Sequence, residues 1–154
     1  LQNAYGSELL PLPVPLAVQY WNGNWQTNSL DTCTSIQASQ FAWSFPPGSA
    51  SRLNSLAACE TAATVSGVGP NYTVTLNAPG ASNAGWADLI LNVGAAPVGN
   101  TCTAVNAGTG FSAAATTANA PWLQFNWTGT VANPQARVNF GIYKSPLIYR
   151  RENY

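Results

Sequence analysis

The residues that enzymes use for nucleophilic and acid–base chemistry are scarce in this sequence. It contains no histidine, so the Ser-His-Asp and Cys-His arrangements that activate most nucleophiles have no base. The single lysine, Lys144, stands beside Ser145 in a predicted hairpin turn. Water should hold the pKa of that lysine near about 10.4, which leaves it protonated and a poor base. We therefore predict no catalytic residues.

Carboxylates and metal ligands are equally sparse. Two acids held about 5–9 Å apart can hydrolyse a glycosidic bond, but no two of the five acids are close in sequence. A glycoside hydrolase, which needs two of them to converge in a cleft, is our second alternative function. Without histidine, paired cysteines or an Asp-rich loop, we predict no metal and no cofactor. The acids are Glu8, Asp31, Glu60, Asp88 and Glu152.

Three cysteines, Cys33, Cys59 and Cys102, can form one disulfide and leave one thiol. Their spacing fits no zinc motif. One interpretation is three buried, reduced thiols. The other is an exported domain with one disulfide, which the charge-poor composition rich in Asn, Thr, Ser and Gly favours. We favour a bond between Cys59 and Cys102, with Cys33 free or paired with a cysteine outside this segment.

Aromatic side chains give the strongest indication of a binding site. The chain has six Trp, six Tyr and five Phe, and Trp and Tyr rings can pack on a sugar while amides bond its hydroxyls. Trp21 and Trp25 flank a predicted turn with Asn22, and Trp122 beside Gln124 is a second candidate. The alternative is that these tryptophans belong to the core. Three others are predicted to be core residues: Trp43, Trp86 and Trp127.

The composition argues against two classes of partner. Charged residues are 6% of the chain, five basic against five acidic, so no electrostatic field holds a polyanion and we expect no nucleic acid. No apolar run approaches the roughly 18 residues that span a bilayer, so we expect no direct membrane insertion. The absence of Met leads us to expect a single domain, 1–154, cut from a longer exported chain.

The elements that must position these residues are predicted to be strands. Apolar residues recur at period two, with Gly and Pro as frequent interruptions. We predict an all-β fold: a two-layer antiparallel β-sandwich, immunoglobulin-like or a related Greek key, with about nine short strands. Asn22-Gly23 predicts a tight hairpin between strands at about 14–21 and 24–28. Prolines at 11, 13 and 15 place the first strand at a sheet edge or make it an extended lead-in.

Further segments are assigned from the same alternation. We expect inward-facing Leu89, Leu91 and Val93 with Asn92 facing outward. Residues 51–63 have weak helical character, and 107–121 is read as a loop. The remaining predicted strands lie at 40–45, 71–77, 86–93, 122–129 and 135–143.

The last 19 residues hold five of the ten charged side chains. We expect a terminal hairpin whose charges discourage edge-to-edge pairing with other sheets. The charged residues are Arg137, Lys144, Arg150, Arg151 and Glu152.

Both ends of the chain resemble the C-terminal domain of the MshQ-like proteins, large bacterial proteins associated with the mannose-sensitive haemagglutinin (MSHA) type IV pilus. The resemblance rests on residues 3–9, 20–23 and 78–93 and on the terminal hairpin. It implies an exported, cell-surface or pilus-associated protein with this domain at the end of a longer chain, and it brings no catalytic residues. The hairpin residues that carry it include Arg137, Phe140, Gly141, Tyr143, Tyr149, Arg150 and Glu152.

We therefore expect a non-enzymatic, extracellular structural or adhesive module. A structural module would join itself, or other pilus and cell-surface proteins, through unpaired strand edges, with the Pro-rich N-terminal segment as one candidate. Upstream domains of the parent chain would be further partners. A carbohydrate-binding, lectin-like module would instead hold glycans on Trp21, Trp25 and Trp122.

Overall fold

The structure, a computed structural model, describes residues 1–45, 55–105, 110–126 and 129–141. Within these residues the chain forms thirteen β-strands and two 3-10 helices, Ala38–Gln40 and Pro121–Leu123. The all-β prediction is confirmed, but about nine strands is too low. The strands are β1 (Ala4–Gly6), β2 (Leu12–Ala17), β3 (Gln19–Trp21), β4 (Trp25–Thr27), β5 (Phe41–Ser44), β6 (Ala63–Val68), β7 (Asn71–Leu76), β8 (Gly85–Leu91), β9 (Asn100–Thr101), β10 (Ala113–Ala114), β11 (Phe125–Asn126), β12 (Val131–Ala132) and β13 (Gln135–Phe140).

Two main sheets form the layers of a sandwich. One has six strands in the order β1-β13-β8-β5-β9-β10, and the other has three in the order β2-β7-β6. Two separate hairpins, β3–β4 and β11–β12, complete the described strands. Every ladder in the described part of the chain is antiparallel except the one between β1 and β13, which is parallel. The predicted antiparallel sandwich is therefore confirmed, with one parallel pair among its ladders.

The core lies between the two layers and follows from the alternation of apolar residues. In β7, Tyr72, Val74 and Leu76 are buried while Asn71 and Thr73 are exposed. The same alternation buries one face of β8 and of β13. Burying each large side chain stabilises the fold by roughly 1.5–3 kcal/mol. The largest fully buried apolar side chains are Phe41, Phe140, Leu76, Leu89 and Leu91.

The edge position predicted for the proline-rich strand is confirmed by β2, which borders the smaller sheet. The Pro15 carbonyl accepts the Gln2 N–H at 3.0 Å, so odd-numbered residues of β2 direct their backbone groups away from β7. Pro11, Pro13 and Pro15 lack an N–H. This edge therefore presents carbonyls without the matching donors and is a poor template for another strand.

The structure contains a disulfide between Cys59 and Cys102, the pair favoured from the sequence. Both residues are fully buried. Cys59 precedes β6 in the smaller sheet, whereas Cys102 follows β9 in the larger one, so the bond links the two layers. Cys33 is a free, exposed thiol.

Asn92 follows β8 and is fully buried, so the prediction that it faces outward was wrong. Its Nδ2 donates to the Val98 carbonyl at 3.0 Å, and its Oδ1 accepts the Val98 N–H and Asn133 Nδ2, each at 3.2 Å. Asn133 Oδ1 in turn accepts Gln124 Nε2 at 3.1 Å. Because each amide supplies the partners of the next, this polar network can stay buried at little cost.

Other predictions also needed correction. In 122–126, the described part before the gap of the strand expected at 122–129, a 3-10 helix precedes β11, because Pro121 supplies the first helical residue, a position that suits proline. Weak helical character was predicted at 51–63, but the described residues before β6, 55–62, form no helix. The loop predicted at 107–121 contains the short strand β10. Trp43 is buried as predicted. Trp86 instead lies on the outer face of β8, because Ala87 and Leu89 take the inner one.

The terminal hairpin is described only as far as its first strand. Arg137 is exposed and Phe140 buried, and the Gly141 N–H donates to the Gly6 carbonyl at 2.8 Å. The predicted core tryptophan Trp127 lies outside the described ranges. So do the remaining residues of the predicted hairpin, which are Tyr143, Lys144, Ser145, Tyr149, Arg150, Arg151 and Glu152.

Replacing both Cys59 and Cys102 by Ala should lower the free energy of unfolding by about 4 kcal/mol, because the bond closes a loop of 43 residues. Urea denaturation followed by tryptophan fluorescence measures the change. The matched control is Cys33→Ala, which removes an exposed thiol and should leave the midpoint unchanged. A double variant within about 1 kcal/mol of the original protein would contradict the prediction.

Asn92→Ala should lower the free energy of unfolding by about 2–3 kcal/mol, because it removes a fully buried amide together with its hydrogen bonds to the Val98 backbone and to Asn133. The same urea titration measures it. Asn71→Ala is the control, since Asn71 is exposed in β7. If Asn92→Ala and Asn71→Ala have the same free energy of unfolding, the buried network stabilises the fold no more than an exposed Asn side chain does.

Candidate functional site

Four exposed aromatic residues from two parts of the chain form one cluster, which we call the aromatic surface. Trp21 and Trp25 come from the β3–β4 hairpin, while Trp122 and Phe125 come from the 3-10 helix and β11. Their exposed fractions are 60%, 39%, 72% and 41% respectively. Large aromatic side chains this accessible are not part of the core, and their clustering makes this surface the candidate binding site.

Local sequence builds the hairpin half of this surface. Gly23 has φ +76°, a conformation that glycine adopts without a steric penalty, and the Asn22 N–H donates to the Asn24 carbonyl at 3.0 Å. This turn makes Trp21 and Trp25 cross-strand partners, and partners in a ladder lie on the same face. Their ring centroids are 5.3 Å apart in an edge-to-face arrangement. The hairpin predicted from Asn22-Gly23 is confirmed, but its first strand is only Gln19–Trp21. The strand expected at about 14–21 is divided, and its first part belongs to β2, which pairs with β7.

The opposite face of the hairpin is polar. Tyr20 OH donates to Gln26 Oε1 at 3.0 Å, and Gln26 Nε2 donates to Asn24 Oδ1 at 3.0 Å. These bonds stiffen the hairpin from behind, so the indole rings are presented on a defined backbone.

Tertiary contacts add the other half. Phe125 meets Trp25 edge-to-face with ring centroids 4.9 Å apart. The segment that carries Phe125 and Trp122 is held from below, because Gln124 points inward to Asn133. Gln124 was predicted to assist Trp122 in sugar binding, but its amide is used to anchor the backbone instead.

A hollow of about 330 Å³ opens between the hairpin and the 122–125 segment. Its polar lining residues are neutral except for one carboxylate. Asp31 Oδ1 accepts the N–H groups of Cys33 and Thr34 at 3.1 and 3.0 Å. The polar lining residues are Gln19, Tyr20, Asn28, Asp31 and Thr34.

Hydrogen bonds and burial shift the pKa values of Asp31, which lines this hollow, and of the nearby Tyr72. The hydrogen bond from the Thr34 side chain lowers the pKa of Asp31 most, and burial opposes it. The backbone N–H groups of Thr34 and Cys33 lower this pKa further. Tyr72 OH donates to the Thr34 carbonyl. Burial, and next the nearby Asp31 carboxylate, raise the pKa of Tyr72. The carboxylate therefore stays ionised and the phenol stays neutral around pH 7.

The structure brings together residues that the sequence treated as two candidates. Trp21, Trp25 and Trp122 share one hollow, whereas Asn22 is exposed at the hairpin tip and does not line it. Sequence reasoning missed Phe125, because the alternation in 122–129 pointed it inward. It also missed Asp31, which has no pattern around it beyond a turn.

The described acids are held by separate local contacts. Asp88 pairs with Arg137, and Glu60 Oε2 accepts the Ala57 N–H at 2.7 Å. In the residues that the structure covers, no three Cys, Asp or Glu side chains lie close enough together to hold a metal ion. No helix in this same part of the chain is long and apolar enough to cross a membrane.

Comparison with known proteins identifies a family. The family model described as DUF6701, fourth domain, matches residues 1–153. No curated protein and no solved structure matches the chain. Since the match covers nearly the whole sequence, the chain belongs to the DUF6701 fourth-domain family.

Proposed function

We propose that this domain is a non-enzymatic, extracellular adhesive module of a bacterial surface protein, and that it binds glycans on the aromatic surface. The observation that carries the proposal is the meeting of Trp21, Trp25, Trp122 and Phe125, all exposed, around one hollow. Two separate segments, the β3–β4 hairpin and residues 121–126, bring these rings together on the surface. Burying each ring in the core would stabilise the fold more.

The lining selects the class of glycan. Aromatic faces bind the C–H surface of sugar rings, and the amides and hydroxyls of the hollow can bond sugar hydroxyls. Asp31 is the single charged residue among those that line the hollow, and its lowered pKa keeps it negative. A negative lining repels acidic sugars, so neutral glycans are the proposed ligands.

Two further features support an exported setting. A buried disulfide is typical of proteins that fold in an oxidising compartment. The resemblance to MshQ-like proteins adds a pilus-associated surface protein as the parent chain, with its upstream domains as covalent neighbours.

A structural role by strand addition is the second candidate, and the edge that supports it best is β6 rather than the Pro-rich segment. The outer edge of β6 has no paired strand within the described residues. Unlike β2, it contains no proline, and it carries no charged side chain, so such an edge can accept a strand from another molecule. Ser66→Lys would put a charge on this edge. Sedimentation velocity over a wide concentration range should show association of the original protein and less of the variant.

Glycan binding can be tested on the aromatic surface itself. Neutral glycans that bind on a broad array are titrated by calorimetry against Trp21→Ala and Trp122→Ala. Each variant should bind about tenfold more weakly, a loss of ~1.4 kcal/mol, because it removes a stacking face. Val68→Ala is the control, since Val68 is 79% exposed but lies outside the hollow. An empty array, or unchanged affinity in both Trp variants, would refute the proposal.

Binding at this surface should not change between about pH 5 and pH 8. The chain has no histidine, and Asp31, whose pKa is lowered, stays ionised throughout this range. Because its pKa is lowered, half of it would be protonated only at a pH below its ordinary pKa of about 3.9. Calorimetric titrations at three pH values check this, and a clear rise or fall of affinity near pH 6 would mean that another group controls binding.

A further inference from the structure

The outer face of the six-stranded sheet carries a second hollow, of about 530 Å³. It lies over β1, β13 and β8, and none of its lining residues lines the hollow of the aromatic surface. We call it the sheet-face site. The residues that define it are Asn3, Tyr5, Trp86, Asp88, Arg137 and Asn139.

Strand register gives this site its shape. Tyr5 is paired with Asn139, and Asn139 with Trp86, so the three residues form one row across three neighbouring strands. With strands about 4.8 Å apart, the outer two stand roughly 10 Å from one another. The row therefore has an aromatic side chain at each end and a smaller amide between them. This leaves a valley whose width suits one flat ring.

The wall on the β8 side is rigid and electrically neutral. Arg137 donates two hydrogen bonds to Asp88, Nε to Oδ1 at 2.8 Å and Nη2 to Oδ2 at 3.0 Å. Its guanidinium carbon lies 4.0 Å from the centroid of the Trp86 ring, a cation–π contact. The charge of Arg137 is balanced by Asp88, so the site has little attraction for an anion.

The floor of the valley holds an amide with unused hydrogen-bonding capacity. Asn139 is only 9% exposed, and its side chain makes no hydrogen bond to any residue in the described ranges. The amide oxygen of its neighbour Asn3 is occupied by the Arg137 backbone N–H at 2.8 Å. Among the described residues, the side-chain polar atoms that are both buried and unpartnered belong to Asp31, Trp43 and Thr101. The Asn139 amide is not among them, so water reaches it, and a ligand hydroxyl, which both donates and accepts, can replace that water.

We propose that the sheet-face site binds one ring of a neutral, hydroxyl-rich ligand, a hexopyranose unit of a glycan. Tyr5, which is 63% exposed, packs on the ring face, and the Asn139 amide bonds the hydroxyls at the ring edge. This site does not require the aromatic surface. If both bind, one domain engages a glycan-coated surface twice and gains avidity without any new contact.

The test uses saturation-transfer difference NMR with methyl glycosides of glucose, galactose, mannose and N-acetylglucosamine. The aromatic surface is first silenced by combining Trp21→Ala and Trp122→Ala. We expect at least one glycoside to bind this double variant. Adding Tyr5→Ala or Asn139→Ala should weaken that binding about tenfold or more, whereas Tyr5→Phe, which keeps the ring, should retain it.

Stability separates a binding amide from a structural one. Because the Asn139 amide has no partner among the described residues, Asn139→Ala should leave the thermal midpoint within a few degrees of its parent, as should the exposed control Asn71→Ala. A large loss of stability would show that Asn139 is structural and overturn its assigned role.

The outcomes for the two proposed sites are distinct. One outcome is that binding is lost in the double tryptophan variant but is unchanged by Tyr5→Ala or Asn139→Ala in the original protein. This result overturns the sheet-face site and supports the aromatic surface. Binding lost with Tyr5→Ala and Asn139→Ala but indifferent to the tryptophans supports the sheet-face site alone. No binding of any glycoside to the double variant overturns the sheet-face site.

Discussion

The buried amide of Asn92 is the interaction on which the loops of this domain depend. Besides the side-chain bonds to Val98 and Asn133, its backbone N–H donates to the Gln40 carbonyl at 2.9 Å. Its carbonyl accepts the Ala118 N–H at 3.0 Å. One residue thus connects four segments that would otherwise bury unpaired polar groups, each costing about 1–3 kcal/mol. The network continues through Asn133 to Gln124, which holds the segment that presents Trp122 and Phe125.

Scarcity of charge shapes both proposed sites. With only 6% charged residues, the domain cannot recognise ligands by a strong electrostatic field, and its recognition must come from ring faces and neutral hydrogen-bonding groups. Three of the charged residues that the structure describes have structural contacts: Asp31 holds a turn beneath the hairpin, and Asp88 orients Arg137 on Trp86. Such surfaces are little affected by salt, because screening acts on charges and not on stacking.

The two sheets also differ in which of their edges and faces are open to other molecules. The edge of β2 is closed by prolines, whereas the outer face of the larger sheet is open and carries aromatic and amide side chains. The disulfide between Cys59 and Cys102 holds the layers together at the side of β6 and β9. A rigid scaffold of this kind can present separate surfaces without moving, which lowers the entropic cost of binding.

The sequence by itself determined the features that depend on neighbouring residues. Alternation predicted that Leu89 and Leu91 of β8 are buried, Asn22-Gly23 predicted the hairpin, and the prolines predicted the edge position of β2. Strand side chains point to opposite faces at period two, so these results need only a short window of sequence.

Only the tertiary structure decided the rest. The parallel pairing of β1 with β13, the burial of Asn92 and the contact between Trp25 and Phe125 join residues far apart in the chain. Nothing in a local pattern distinguishes an outward Asn from one that will meet Asn133 in the core. A local pattern likewise cannot distinguish a Phe that faces the core from one, such as Phe125, that contacts a tryptophan of another hairpin. Such partners are chosen by the packing of whole sheets, because the hydrogen bonds and ring contacts exist only once the two layers have closed.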